Sequence, residues 1–529
     1  MKTSKIKYYT LLFVLSVLCS CQSFLDEDPR GQQMQETFYN TDSEVLGGLM
    51  GIYEQAINTG DGIMENFIVR NEACSDLFTY KPVAAANGMA FSKYILTPGN
   101  PVLTAGWNHA YSMIFGANSY IKALSGNNAP TISVALKEQC IMEAKFFRAL
   151  MYYHLVMRWG DVPLRLEPTV MTDTDIERTS SDLIWDAVVK DLQDATGLPE
   201  KKEVKNGRIS KGAVLTLLAK VYMIRKDMKS AESTLDKIQG YSLMPKIEDV
   251  WSTRFKYNEE SIWEINREQG TLPKQGCGLL TYYLPLFADF QGANATYPLN
   301  DFILKMTEPG SPRTKLFYTR KPLLNEITDK YKGEYSYTKN DTGKDVKIVF
   351  TNATEPLFSH LMKYTDFSTL GHKFRTGDCP FNILIFRYAD VVLMKAEVEC
   401  ELNSTTKKAL DYLNQIRGRA GETLYTLTNE PGLLPLRNQD ELREAIRNER
   451  ALELVGEGHR FYDLKRWGEA YALKKLKESR QALVENTTFC YKPEDLTNIE
   501  AYKLVWPIPE SEMNGNQKII QNPGYQSVN

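Results

Sequence analysis

Several kinds of chemistry are missing from this 529-residue chain. Its five histidines are scattered without metal-ligand spacing, and there is no HExxH. That removes the usual zinc-hydrolase arrangement. Beyond a pair at Cys19 and Cys21, the cysteines are Cys74, Cys140, Cys277, Cys379, Cys400 and Cys490, with no CxxC among them. Zinc-ribbon and thioredoxin-type chemistry drop out. The wide spacing leaves disulfides and buried free thiols equally open. No GxSxG nucleophile elbow occurs. Gly276-Cys277-Gly278 and Gly456-Glu457-Gly458 lack the continuation of a phosphate loop. No Lys/Arg cluster marks a nucleic-acid face. After the N-terminal segment, no apolar run reaches the roughly eighteen residues that span a bilayer.

The N-terminus carries a specific signal. MKTSKIKYYTLLFVLSVLCSCQ has three lysines and then an apolar run from Leu11 to Cys19. That run is too short to cross a membrane and fits a secretory h-region. It ends in Leu18-Cys19-Ser20-Cys21, the pattern of a bacterial lipobox. Residues 1–20 read as a lipoprotein signal peptide and Cys21 as the lipidated first mature residue. Several acyl chains give stable anchoring, at about 0.8 kcal/mol per buried CH₂. Without residues 1–20 the chain holds 60 basic and 66 acidic residues. An acidic tether, residues 21–42, precedes the folded part.

From Ser43 onward the chain reads as mainly α. Apolar residues recur at i, i+3, i+4 and i+7 over roughly 43–57, 105–124, 133–158, 180–195, 210–225, 228–239, 383–402, 405–419, 440–456 and 459–474. Between about 240 and 380 the pattern breaks into Gly, Pro, Asn and aromatic residues with short β-like runs. That stretch is too long for a connecting loop and reads as a folded irregular region. Leu218, Ala219, Tyr222, Ala231 and Leu235 have tetratricopeptide spacing. Residues 391–419 give a looser second helix pair. Such scaffolds usually bind rather than catalyse. The organisation expected is a helical region over 43–240 and a second region over 241–529 that includes the irregular stretch.

One segment, ERALELVGEGHRFYDLKRWGE, concentrates Glu449, Arg450, Glu453, His459, Arg460, Asp463 and Arg466. These are residue types of general acid–base catalysis. Helical spacing argues otherwise. Asp440 is placed to cap a helix whose stripe is Leu442, Ala445, Ile446, Leu452 and Val455. Glu449 falls on that stripe, and a buried carboxylate needs a partner. Arg387 and Arg460 are the candidates. Read this way, Arg387, Asp390, Glu449, Arg450, Arg460 and Asp463 form a structural charge cluster, and no catalytic or metal-binding residue is assigned. His459 reads as a helix-entry residue.

Eight stretches, in order, resemble the SusD/RagB family of outer-membrane lipoproteins. They are the lipobox with FLDEDP (24–29), GWNHAYSMIFGAN (106–118), EAKFFRALMYYHLVMRWGDVPL (143–164), FNILIFRYADVVLMKAEVE (381–399), ALDYLNQIRGRAG (409–421), IRNERALELVGEGHRFYDLKRWG (446–468), LVWPIPESEMN (504–514) and QNPGY (521–525). The resemblance implies a mainly α fold with tetratricopeptide-like helix pairs packed against a loop-rich region. It implies no enzymatic activity and no cofactor. It further implies capture of a nutrient, usually an oligosaccharide, at the cell surface, and delivery to a SusC-like TonB-dependent transporter. The family's peptide-capturing, RagB-like branch is the alternative, and a surface glycoside hydrolase with paired carboxylates is a third reading.

By the same resemblance, the ligand face is expected in SDLFTYKP (75–82) and TYYLPLFADFQGANATYPLND (281–301). Its candidates are Asp76, Phe78, Tyr80, Tyr282, Tyr283, Phe287, Phe290, Gln291, Asn294 and Tyr297. Aromatic faces stack on sugars and short polar chains bond hydroxyls. None of the seven tryptophans falls in these loops, which gives weight to the peptide branch.

Overall fold

Tight helical hairpins build the scaffold. The computed structural model describes residues 39–57, 63–80, 86–127, 129–169, 175–205, 207–268, 380–485 and 491–526, with short pieces between 279 and 375. Helix α1 is Asp42–Ile57, α2 Ile63–Ala73, α3 Ala86–Ser92, α4 Pro101–Ser125 and α5 Val134–Trp159. Pro101 opens α4, where its missing N–H costs nothing, and the Asn100 side chain accepts from the N–H of Val102 and Leu103. Helices α4 and α5 pack as the longest pair, and α6 (Ser181–Asp194) lies against α5.

Helices α7 (Lys211–Ile224) and α8 (Met228–Leu235) form the first repeat-like pair. Ala219 and Ala231 are fully buried there, which fits close approach through small residues. Helices α9 (Tyr388–Asn403) and α10 (Lys407–Arg419) form the second, and α9 also packs on α8. Each hairpin turns through one non-glycine residue in the left-handed region, Lys226 at φ 63° and Ser404 at φ 66°. Among the described residues the longer helices that follow are α11 (Gln439–Glu453), α12 (Arg460–Trp467) and α13 (Glu469–Glu485). One apolar cluster runs from Val45 to Ile519. A smaller one joins α9, α10 and α11.

Strand β1 (Ser261–Ile265) pairs antiparallel with β2 (Ile383–Arg387), and all ten residues are buried. This corrects the helical expectation for 383–402, because the helix starts at Tyr388. The run Ile383–Phe386 is short and apolar, and such a run has no period that separates strand from helix. The expected helix 459–474 is two helices, split at Gly468 with φ 119°, where an L-residue is strained. The cap of α11 is Asn438, which accepts from the Glu441 N–H at 2.9 Å, and not Asp440.

The C-terminal segment straps the body. Trp506 N–H donates to Arg158 O at 2.7 Å, and Trp159 Nε1 donates to Pro507 O at 3.0 Å. Asn522 Nδ2 donates to the carbonyls of Trp159 and Trp506. No described helix is long and apolar enough to cross a membrane.

Candidate functional site

The charged segment folds inward and becomes the centre of a buried ion-pair network. Arg387 is fully buried and uses its whole guanidinium. Its Nε donates to Glu457 Oε2 at 2.7 Å, and its Nη1 donates to Glu260 Oε1 and Glu453 Oε1, each at 2.8 Å. Its Nη2 donates to Glu453 O at 2.7 Å and Glu457 Oε1 at 2.8 Å. Glu453 also accepts from Arg313 and Arg419, and Lys363 donates to Glu457.

Glu449 does lie in the core, but neither Arg387 nor Arg460 is its partner. It accepts from Arg313 at 2.5 Å and Arg417 at 2.9 Å. Arg450 donates to Asp390 and Asp463, Lys220 pairs with Asp390, and Arg466 bridges Asp463 and Glu397. Arg460 clamps both oxygens of Asp76 at 2.8 and 2.7 Å, tying α12 to residues far away in sequence. Gly458 N–H donates to Glu72 at 2.7 Å, and Asn71 donates to Gly458 O at 3.0 Å.

This environment sets the protonation states. Burial pushes the Asp463 carboxyl up, but Arg450, Arg466 and Lys220 outweigh it and hold it down at about 2. Glu453 is likewise held well below the carboxylate range by Arg419, Arg387 and Arg313 against its burial. His459 falls to about 4, chiefly through burial and then Lys220, so the imidazole is neutral. Burial lifts Glu72 to about 8. Asp463 and Glu453, held firmly as anions and shared among guanidinium groups, are poor proton donors, whereas Glu72 is held protonated. The network ties together segments that are far apart in sequence.

The two candidate loops meet at their bases. Phe78 and Leu299 form an isolated antiparallel bridge, and Asn300 N–H donates to Leu77 O at 2.7 Å. Several expected ligand residues face the core instead of solvent. Asp76 is spent on Arg460. Phe78 and Tyr283 are fully buried with ring centroids 5.1 Å apart, and Tyr283 stacks on Tyr364. Tyr80 is buried as well. Tyr282 is half-buried beneath the Arg70 guanidinium, 5.9 Å from its ring centroid. Phe290 and Gln291 form a two-residue strand paired with Phe374 and Arg375. Phe287, Asn294, Tyr297 and Cys21 lie outside the described residues.

Sequence reasoning missed Arg313, Arg417, Arg419, Glu260 and Lys363, which complete the network, and Arg70 beside the loops. It also missed Arg158, whose guanidinium lies 4.1 Å from the Phe67 ring centroid and 4.7 Å from that of Trp506. The available signal was an arginine inside an apolar run, as in YYHLVMRWG. Among the described residues no cluster of His, Cys, Asp and Glu could hold a metal ion. Cys74, Cys140 and Cys400 are buried free thiols.

Comparison with known proteins identifies this architecture. A SusD-like protein of Formosa agariphila is 29% identical over 99% of this chain and 100% of its own length. A SusD homolog from Bacteroides thetaiotaomicron superposes with TM-score 0.75 at 20% identity, covering 93% of this chain and 98% of that one. A laminarin binding SusD-like protein does so with TM-score 0.70 at 23% identity, covering 92% and 100%. A family model described as starch-binding associating with outer membrane matches residues 23–223. The model of the SusD family matches residues 248–525, more than half of the sequence, and the chain belongs to that family.

Proposed function

We propose that this protein is a cell-surface lipoprotein, anchored in the outer membrane through Cys21, that captures an oligosaccharide and passes it to a SusC-like TonB-dependent transporter. Two family models matching in sequence over 23–223 and 248–525 carry the reading. The carbohydrate class is supported by the starch-binding description of one and by the laminarin-binding neighbour. Lipid anchoring suits the role, since a tethered captor meets its pore at high effective concentration.

The binding face proposed is the junction of the 75–82 and 281–301 loops. Tyr282 is the aromatic candidate there whose described side chain keeps accessible surface. The buried candidates Asp76, Phe78, Tyr80 and Tyr283 shape that face from beneath. Capture without turnover is supported by the charged motif, whose carboxylates are consumed by arginine and lysine. A second reading, oligopeptide capture, is favoured by the placement of tryptophan: Trp107, Trp159, Trp185, Trp251, Trp263 and Trp506 are all buried. Trp467, the seventh, is half-buried beneath the Arg447 and Arg460 guanidinium groups.

Affinity electrophoresis and calorimetry of residues 22–529 against neutral and acidic polysaccharides and mixed peptides test the proposal. Binding to a glycan supports it. Binding to peptides alone transfers the assignment to the second reading. Absence of binding, both alone and in the presence of the co-expressed transporter, refutes it.

A further inference from the structure

A pocket opens between α4, the segment after α5 and the C-terminal strap, and none of its described lining residues belongs to the 75–82 or 281–301 loops. It has a volume of about 210 Å³ and is lined by Tyr111, Ile114, Phe115, Asn118, Pro163, Arg165, Thr169 and Glu512. Its walls come from α4, from the segment after α5 and from the C-terminal strap. The volume is below the roughly 300–1,000 Å³ of sites for drug-sized ligands, and so it suits one ring better than a chain. Phe115 is 48% exposed there. Its exposed face is free to pack against the apolar face of a ligand ring.

The pocket is held in shape by bonds to its frame. Tyr111 Oη donates to Pro163 O at 2.8 Å. Asn118 Nδ2 donates to Arg165 O at 3.0 Å and to Glu167 O at 3.1 Å. Arg165 N–H donates to Tyr152 Oη at 2.6 Å, and its Nη1 donates to Thr169 Oγ1 at 3.1 Å. Trp107 Nε1 donates to Glu512 Oε2 at 3.3 Å. A frame fixed this way needs little ordering on binding, which is where affinity for a small ligand is usually lost.

The lining combines an aromatic and proline wall with a guanidinium, a hydroxyl and a carboxylate. A sugar hydroxyl is both donor and acceptor. It can donate to Glu512 while a neighbouring hydroxyl accepts from Arg165, and the apolar face of the ring can lie on Phe115. A free anion would be repelled by Glu512 and a free cation by Arg165, whereas a neutral polyol satisfies both. We infer that this pocket is a second carbohydrate site, specific for a single neutral hexose unit with vicinal hydroxyls, distinct from the loop face. It would hold one unit of a glycan, or a free sugar, independently of what the loops bind.

The test is saturation-transfer NMR on the mature chain with glucose, galactose and mannose, each at millimolar concentration. The wild type is compared with Phe115→Ala, Glu512→Gln and Tyr282→Ala, each checked for an unchanged melting temperature. Because Phe115 is already half-exposed, its truncation leaves the fold intact. The expected result is transfer to at least one hexose, lost in Phe115→Ala, at least halved in Glu512→Gln and unchanged in Tyr282→Ala. Signal lost in Tyr282→Ala and kept in Phe115→Ala overturns this inference while leaving the loop-face proposal standing. Signal indifferent to all three variants, or no transfer from any of the hexoses, also overturns it. Failure of oligosaccharide binding at the loops, with hexose transfer to Phe115 retained, would refute the proposed function and not this site.

Discussion

Replacing Arg387 with methionine removes one cation from between three buried carboxylates. Glu260 keeps Arg419, Glu453 keeps Arg313 and Arg419, and Glu457 keeps Lys363. The loss is therefore that of one broken buried pair and not of three. Breaking such a pair by deleting one partner costs about 3–5 kcal/mol. At about 1.4 kcal/mol per factor of ten, the folding equilibrium shifts by roughly a hundredfold to several thousandfold. An unfolding entropy of about 2.1 cal/mol/K per residue over roughly 500 residues gives about 1 kcal/mol/K, so the melting temperature falls by about 3–5 °C. The control is Asp411→Asn, which breaks the exposed Lys407–Asp411 pair, 83% and 57% exposed. Exposed pairs contribute about 0–1 kcal/mol, so the control stays within about 1 °C of wild type. Scanning calorimetry of both variants reads the difference. If Arg387→Met melts no lower than Asp411→Asn, the network is not holding the fold and the structural reading of the motif is wrong.

Adjacent tyrosines should behave oppositely. Tyr283→Ala empties a fully buried site and should cost about 3–5 kcal/mol by denaturant titration; Tyr282→Ala should leave stability within about 1 kcal/mol and weaken ligand binding by calorimetry. Gly458 has φ 82°, and a Cβ there would come 2.9 Å from Ile68 Cα. Gly458→Ala should therefore destabilise by at least about 1–3 kcal/mol, and an unchanged denaturation midpoint would contradict the close approach of α2. Glu72 has a folded pKa raised from 4.5 to about 8 by burial. The folded state keeps that proton between those values while the unfolded state releases it, so the contribution is complete below pH 4.5 and is lost as pH rises through 8. Glu72→Gln should flatten this part of the stability profile and exceed wild type at pH 9; equal losses at pH 6 and pH 9 would refute the assignment.

The hairpins were legible because their signal is local. Ala219, Ala231 and Leu235 keep tetratricopeptide spacing, and all three are fully buried. The position of Glu449 on an apolar stripe was enough to place it in the core. Its partners were not legible. Arg313 and Arg417 lie 136 and 32 residues away, and neither stands in an apolar run of the kind that surrounds Arg158. The same holds for Asp76, whose sequence context of aromatic and polar residues matches a ligand loop equally well. Only the chain's return through Arg460, 384 residues later, turns it inward. Strand β2 was hidden because its first four residues, Ile383–Phe386, are all apolar, so burial on both sides erased the alternation that marks an ordinary strand.

Capture without chemistry leaves the bound glycan unchanged. The glycan that binds best is incubated with the mature chain, and the mixture is resolved by chromatography with reducing-end detection. The glycan should be recovered intact at every time point, while calorimetry on the same sample shows it bound. Shortened products whose yield falls in Glu449→Gln or Asp463→Asn, with the fold intact, would contradict it.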